Sequence, residues 1–178
     1  MRRLERASHL ERVARWLARR EQELQVRLAR ELVTSIRALN RAIGELDHEL
    51  DQRAAKLAPA LLELPGCAAL TAAKLLAEIG PIERFKSDAQ LARHGGIAPL
   101  EASSGRTQRH RLDRGGNRQL NAALYRIAIT QARCYAPARE YLERKRSEGK
   151  SRREALRCLK RLLVHVVFNT LKASPALT

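Results

Sequence analysis

Between Leu10 and Leu61 apolar residues return every three or four positions. Leu10, Val13 or Ala14, Leu17, Leu24 and Leu28 form one set, and Leu39, Ile43, Leu46, Leu50 and Leu57 form another. Steps alternating between three and four mark a coiled-coil seam. Leu28, Leu32, Ile36 and Leu39 join the two sets by steps of four, four and three, a stutter that locally unwinds a left-handed supercoil without ending the helix. Glu21 falls on the seam and weakens its first half. No proline precedes Pro59, and the run holds one glycine, Gly44. The pattern predicts a single long helix, and about 50 residues of it would extend roughly 75 Å. A domain this small cannot cover such a length, so an intermolecular or antiparallel coiled coil is expected rather than a helix packed on its own domain.

From Pro59 the pattern changes. Leu64-Pro65-Gly66 reads as a turn, followed by a helix of small residues that closes at Gly80. A Pro-Gly turn feeding a helix with Thr71 near its start resembles half of a helix-hairpin-helix motif, with Ala68 replacing the usual second glycine. Such a turn exposes backbone N–H groups at a helix N-terminus, where the dipole favours phosphate. Phe85 should anchor the connector that follows, and Ser87 with Gln90 has the spacing of a helix N-cap and its third-position partner. A helix from about Asn117 to Tyr135 carries Leu120, Leu124, Ile127, Ala128 and Gln131 on one face, with Asn117 or Gly116 at its start. Its N-terminus offers a second place for a phosphate. Pro137 marks the next helix start. Ser151 caps a last helix whose stripe is Ala155, Leu156, Leu159, Leu162, Leu163, Val166, Val167 and Leu171. The predicted class is all-α: a long N-terminal coiled-coil helix over residues 1–58, then a compact helical domain over 59–178.

Composition narrows the partners. The chain carries 35 Lys and Arg against 19 Asp and Glu, a formal charge of +16, which favours a polyanion and above all nucleic acid. Aromatic residues make up 3%, so base stacking is a poor basis for recognition and arginine–phosphate contact a better one. The segment from Met1 to Ala58 mixes 13 basic with 9 acidic residues and presents no single basic face, which disfavours a membrane-surface helix. No apolar run reaches the roughly 20 residues a spanning helix needs, and the start is no signal peptide. A cytoplasmic protein, nucleoid-associated in a bacterium or archaeon, is expected. Cys67, Cys134 and Cys158 read as reduced thiols, and no histidines or cysteines fall at metal-ligand spacing.

One stretch, Glu101 to Arg118, has neither helical nor strand periodicity and is expected to be a loop. Arg106, Arg109, Arg111, Arg114 and Arg118 surround Ser103 and Ser104 there, with Asp113 as their acidic partner. Guanidinium groups gathered around two serines suit a phosphate backbone, although a solvated basic loop has the same composition. Glu101, His110 and Asp113 are the local candidates for proton transfer. His94 and His110 read as polar surface residues.

Taken in order, these motifs resemble a known family. Leu64-Pro65-Gly66 with Thr71-Ala72, Phe85, Gly96-Ile97-Ala98-Pro99, Ser103-Ser104-Gly105, Gly116-Asn117-Arg118 with Leu120, and Tyr141, Lys145 and Gly149-Lys150 before an apolar helix are similar to the C-terminal transposase domain of the insertion-sequence 110/116/902 family. The resemblance covers about residues 60 to 172, and the coiled coil sits where that family has one. It implies a DNA transposase or site-specific recombinase guided by an element-encoded bridge RNA. A RuvC-like domain with a DEDD carboxylate set for Mg²⁺ would be joined to a domain whose serine attacks a DNA phosphodiester. Carried onto this chain, the nucleophile is Ser104, with Ser103 as the fallback. Candidate nucleic-acid contacts are Gly66, Thr71, Lys74, Arg106, Arg109, Arg111, Arg114, Asn117, Arg118, Lys145 and Lys150.

Asn121 departs from the family pattern by standing where an arginine is usual. The RuvC-like domain has no counterpart in these residues, so a remnant or one part of a split transposase is expected, with no metal site of its own. Such a chain would bind DNA or structured RNA and form homo-oligomers through the coiled coil, yet be catalytically incompetent alone. The competing class is a non-catalytic nucleic-acid-binding or coiled-coil assembly protein, in which Ser103 and Ser104 merely make turn hydrogen bonds.

Overall fold

The computed structural model describes residues 7–21, 23–101, 110–111, 113 and 115–173. Its eight helices among these are α1 (Ala7–Ala18), α2 (Leu24–Leu57), α3 (Pro59–Leu62), α4 (Ala69–Ile79), α5 (Asp88–His94), α6 (Arg118–Cys134), α7 (Ala136–Ser147) and α8 (Arg152–Ala173). A single 3₁₀ turn covers Ile82–Arg84, and two-residue strands β1 (Leu100–Glu101) and β2 (His110–Arg111) pair between α5 and α6. The class is all-α, as the sequence predicts. The chain divides into two compact units, residues 1–49 and 50–178.

In the first unit the expected uninterrupted helix is broken between α1 and α2. Arg19 and Arg20 donate back three residues, to the Trp16 and Leu17 carbonyls, as the helix tightens and ends. The break falls at Glu21, the carboxylate on the seam, where continuing the helix would have aimed a charge along the apolar stripe. The chain instead reverses. Arg30 donates to the Leu17 carbonyl at 2.7 Å and Arg37 pairs with Glu11 at 2.9 Å, so α1 runs antiparallel to the start of α2. Leu10, Leu17 and Val33 are buried there. Leu28, Leu32, Leu39, Ile43 and Leu46 keep between 49% and 64% of their surface exposed, so this one chain does not cover the α2 seam.

In the second unit α6 packs against α4 on one hand and α8 on the other, with α5 and α7 against α8. Leu61, Leu75, Ile79, Leu91, Leu120, Leu124, Ile127, Val164 and Val167 are fully buried among them. The α6 face matches the sequence pattern, and Gln131 on it is satisfied because its Nε2 donates to the Pro65 carbonyl at 2.8 Å. Phe85 is buried as expected. Gly80 ends α4 at φ +61, a conformation that suits glycine. Ser87 caps α5, while Gln90 accepts from the Lys86 amide in a shifted version of the capping box. At the start of α8, Ser151 and Glu154 form the reciprocal pair.

The α8 stripe needs one correction. Leu162 is exposed, whereas Lys160, Val164 and Phe168 are buried. The helix is packed by α5, α6, α7 and α3, which widens its buried face beyond the expected stripe, while Ala155, Leu159, Leu163, Val167 and Leu171 are buried as expected. Cys67 is buried, Cys134 exposed and Cys158 half-buried, all as free thiols. Burial pushes the Cys67 thiol up to about 11. No helix among the described residues is long and apolar enough to cross a membrane.

Candidate nucleic-acid interface

Ser103, Ser104, Arg106, Arg109 and Arg114 lie outside the described residues, so the site is built from what frames them. Strands β1 and β2 form an antiparallel ladder with Leu100 opposite Arg111 and Glu101 opposite His110. The expectation of a loop throughout 101–118 is corrected to that extent. Two pairs close the ends of the eight-residue connection, which is too polar to show a strand's alternation over so short a length.

Below the ladder the chain is held by glycines. Gly96 adopts φ +61, and a Cβ on Gly116 would overlap the backbone of Gly95 and Gly96. Only a residue without a side chain permits that approach. Asp113 Oδ1 accepts from the Gly115 amide at 2.8 Å, a short turn that occupies one oxygen of a carboxylate named above as a proton acceptor. Asn117 caps the start of α6, as the sequence predicts. The Asn117 amide donates to the His94 carbonyl at 2.7 Å, and Oδ1 accepts from the Gln119 and Leu120 amides, both at 2.9 Å. Its Nδ2 donates to Glu78 Oε2 at 2.7 Å. Asn117 therefore spends its side chain on joining α4 to α6, and it occupies N–H groups that were expected to be offered to phosphate.

Asn121, one turn on, donates from Nδ2 to the Gly95 and Gly96 carbonyls at 2.9 and 3.3 Å, and its Oδ1 accepts from Lys160 Nζ at 2.7 Å. Arg118 is exposed beside them. His94 is not the surface residue expected. Its ring packs on Phe85 with centroids 5.4 Å apart, and its buried Nε2 has no hydrogen-bond partner among the described residues.

The Pro-Gly turn lines a separate, open groove of about 600 Å³ with Leu62–Ala68, Thr71, Arg126, Ile129 and Thr130. Gly66 has φ +83, and a Cβ there would come within 3.1 Å of Thr130 Cβ and 3.2 Å of the Ile127 carbonyl. Ala68 gives α4 no side-chain cap, and the Thr71 and Ala72 amides donate to its carbonyl at 2.8 and 2.9 Å. Lys74 is half-buried further along α4. Arg126 and Thr130 escaped sequence reading, though they stand four apart on α6 beside its buried stripe.

The last basic cluster surrounds the turn between α7 and α8. Arg146, Lys150 and Arg152 line a shallow depression of about 620 Å³ with Glu143, Gly149, Ser151 and Glu154. Lys145 is tied to Glu148 at 2.8 Å, which raises its pKa, and it lies 5.6 Å from the Tyr141 ring. Lys150 is exposed. Of the sequence-selected residues that are described, Asn117 and Arg118 lie at the start of α6, Gly66 and Thr71 line the groove beside α4, and Lys145 and Lys150 flank the α7–α8 turn.

Residues 58–143 match the family model described as transposase IS116/IS110/IS902 family. Similar proteins include the insertion element IS110 uncharacterized 43.6 kDa protein of Streptomyces coelicolor, 34% identical over 145 residues, which are 79% of this chain and 36% of that protein. The insertion element IS900 uncharacterized 42 kDa protein of Mycobacterium paratuberculosis is 30% identical over 155 residues, 85% of this chain and 39% of that protein. The insertion element IS116 uncharacterized 44.8 kDa protein of Streptomyces clavuligerus is 30% identical over 149 residues, 82% and 37% respectively. The chain spans little more than a third of the length of these curated relatives.

Proposed function

Because the chain belongs to the transposase IS116/IS110/IS902 family through residues 58–143, we propose that it is the part of an insertion-sequence transposase that grips DNA and presents a serine to a phosphodiester. The reading rests above all on the β1–β2 ladder, whose paired ends enclose a connection carrying both serines and two arginines at the start of α6. A charge of +16 supplies the general attraction for DNA, or for a guide (bridge) RNA.

In this reading Ser104 is the nucleophile and Ser103 the fallback. The Oγ–phosphorus bond forms as the bond to the leaving deoxyribose oxygen breaks. The hydroxyl proton passes to a base, and the leaving oxygen takes up a proton. Arg106, Arg109 and Arg111 are near enough in sequence to neutralise the charge that develops on the phosphate oxygens. Among the described residues no three His, Cys, Asp or Glu side chains converge to hold a metal. The Mg²⁺ carboxylates implied by the resemblance belong to the RuvC-like domain.

The test is strand cleavage on insertion-end DNA. The 178-residue chain alone should bind without cleaving. Supplying a RuvC-like domain with Mg²⁺ should yield a covalent protein–DNA adduct that Ser104→Ala abolishes and Ser103→Ala spares. An adduct that survives Ser104→Ala would overturn the assignment. The exposed leucines of α2 favour a second role beside this one, assembly of copies through the first unit.

A further inference from the structure

Lys160 is a lysine on the buried side of α8, only 7% exposed. Its Nζ donates to Asn121 Oδ1 at 2.7 Å and lies 5.9 Å from the centre of the Tyr125 ring. Burial first, then the like charge of Arg157 one turn back, hold its pKa below the ordinary lysine value. Buried ammonium groups are normally matched by a carboxylate. Among the described residues this one's hydrogen-bond partner is a neutral amide, so balancing a negative charge does not explain it.

The geometry supplies another explanation. An ammonium donates and cannot accept, so Asn121 must turn Oδ1 toward Lys160. The same choice aims Nδ2 at the Gly95 and Gly96 carbonyls, at 2.9 and 3.3 Å. A flipped amide would set its oxygen against two carbonyl oxygens and its NH₂ against an ammonium. Those carbonyls belong to the turn that packs on Gly116, at the root of the 102–109 connection. The link therefore runs from α8 through α6 to the contact between the Gly95–Gly96 turn and Gly116.

We propose that Lys160 is a positioning residue for the turn that flanks the β1–β2 ladder, acting by fixing the direction of the Asn121 amide and so holding Gly95–Gly96 against Gly116. The function of that positioning rests on the reading of Ser104 as nucleophile; the physical link does not.

Hydrogen exchange on the full 178-residue chain reads the link directly. Lys160→Met keeps the aliphatic stem and removes the donor, and Asn121→Ala removes the relay. In either variant the amides of Gly96, Ile97 and Asn117, which close this turn, should exchange at least tenfold faster. The double variant should be no worse than the single ones, because both break one link. Core amides such as those of Ile127 and Val164 should keep their protection. Unchanged exchange at the three turn amides, or an equal acceleration across the whole chain, would overturn the proposal. Should Lys160→Met fail to fold, Asn121→Ala carries the same comparison.

With the RuvC-like domain supplied, the rate of adduct formation at saturating DNA should fall at least tenfold in Lys160→Met, with the half-saturating DNA concentration unchanged. A change in half-saturation alone would contradict a positioning role. Absence of any adduct from the unmodified chain would count against the nucleophile reading, while the exchange pattern would still decide the Lys160 link.

Discussion

Asn117 and Glu78 meet across 2.7 Å at the start of α6, the asparagine Nδ2 donating to the carboxylate. Their 39-residue separation makes this contact one of the ties between the helix after the Pro-Gly turn and the helix after the basic connection. The same asparagine caps α6 through Oδ1, so one side chain both starts a helix and joins it to another. Asn117→Ala should lose the cap and leave Glu78 without this donor, lowering stability by about 1–3 kcal/mol in urea unfolding. Asn117→Asp should retain the cap but set two carboxylates together, and it should recover toward the parent chain as pH falls through the carboxylate range.

Two glycines with different surroundings test the clasp. Gly116→Ala drives a methyl into the Gly95–Gly96 backbone and should cost more than about 2 kcal/mol or prevent the ladder from forming. At Gly149 nothing lies within 4 Å, and only φ +84 opposes a side chain, so alanine there should cost about 1 kcal/mol. Equal losses at both positions in thermal unfolding would show that crowding at Gly116 is not what matters.

Asp88 joins α5 to α8 through Arg161 at 2.8 Å and His165 at 3.2 Å. The Arg161 hydrogen bond, foremost, holds its pKa below the ordinary carboxylate value of 3.8. A depressed carboxylate pKa gives stability that is fully present above the unfolded value and is lost as pH falls through the folded one. Asp88→Asn should therefore be less stable than the parent at neutral pH, with the gap closing below about pH 4. A gap that stays constant from pH 7 to pH 2 would assign the effect to packing instead.

How much of this was legible in the sequence differs by element. The α6 face, the Gly80 stop and the Ser87 cap follow local rules, in which period, φ and hydrogen-bond geometry act within a few residues. The break before α2 did not, because residues 19–23 contain neither glycine nor proline and the reversal depends on the distant ties of Arg30 to the Leu17 carbonyl and of Arg37 to Glu11. The commitments of Asn117 to Glu78 and of Lys160 to Asn121 each join residues 39 apart and carry no periodic signature. The two-residue strands are shorter than any pattern that alternation can reveal. The serines themselves were found by motif order, a signal that bears on chemistry and not on packing.

The arginines of the connection and of β2 should appear in the salt dependence of binding. Each phosphate neutralised contributes about 0.9 to the slope of log K against log salt on duplex DNA. Replacing Arg106, Arg109 and Arg111 together by alanine should lower that slope by about 2 to 3. An unchanged slope would place the DNA on the α4 groove or the α7–α8 turn instead.

Self-association should depend on the exposed α2 stripe. Leu39→Lys with Ile43→Lys places two charges on residues that are 62% and 53% exposed, so the isolated fold should tolerate them. In sedimentation experiments the parent chain is expected to be oligomeric and the double variant monomeric, with the helical signal retained.

The proposed reaction bonds Ser104 Oγ to DNA phosphorus. Its most direct measurement is fragmentation mass spectrometry on the adduct trapped with a RuvC-like domain and Mg²⁺, after nuclease digestion down to a residual nucleotide. The expected result is a nucleotide mass carried on Ser104, with Ser103 unmodified. A mass on another residue, or a cleaved strand with no protein attached, would contradict it.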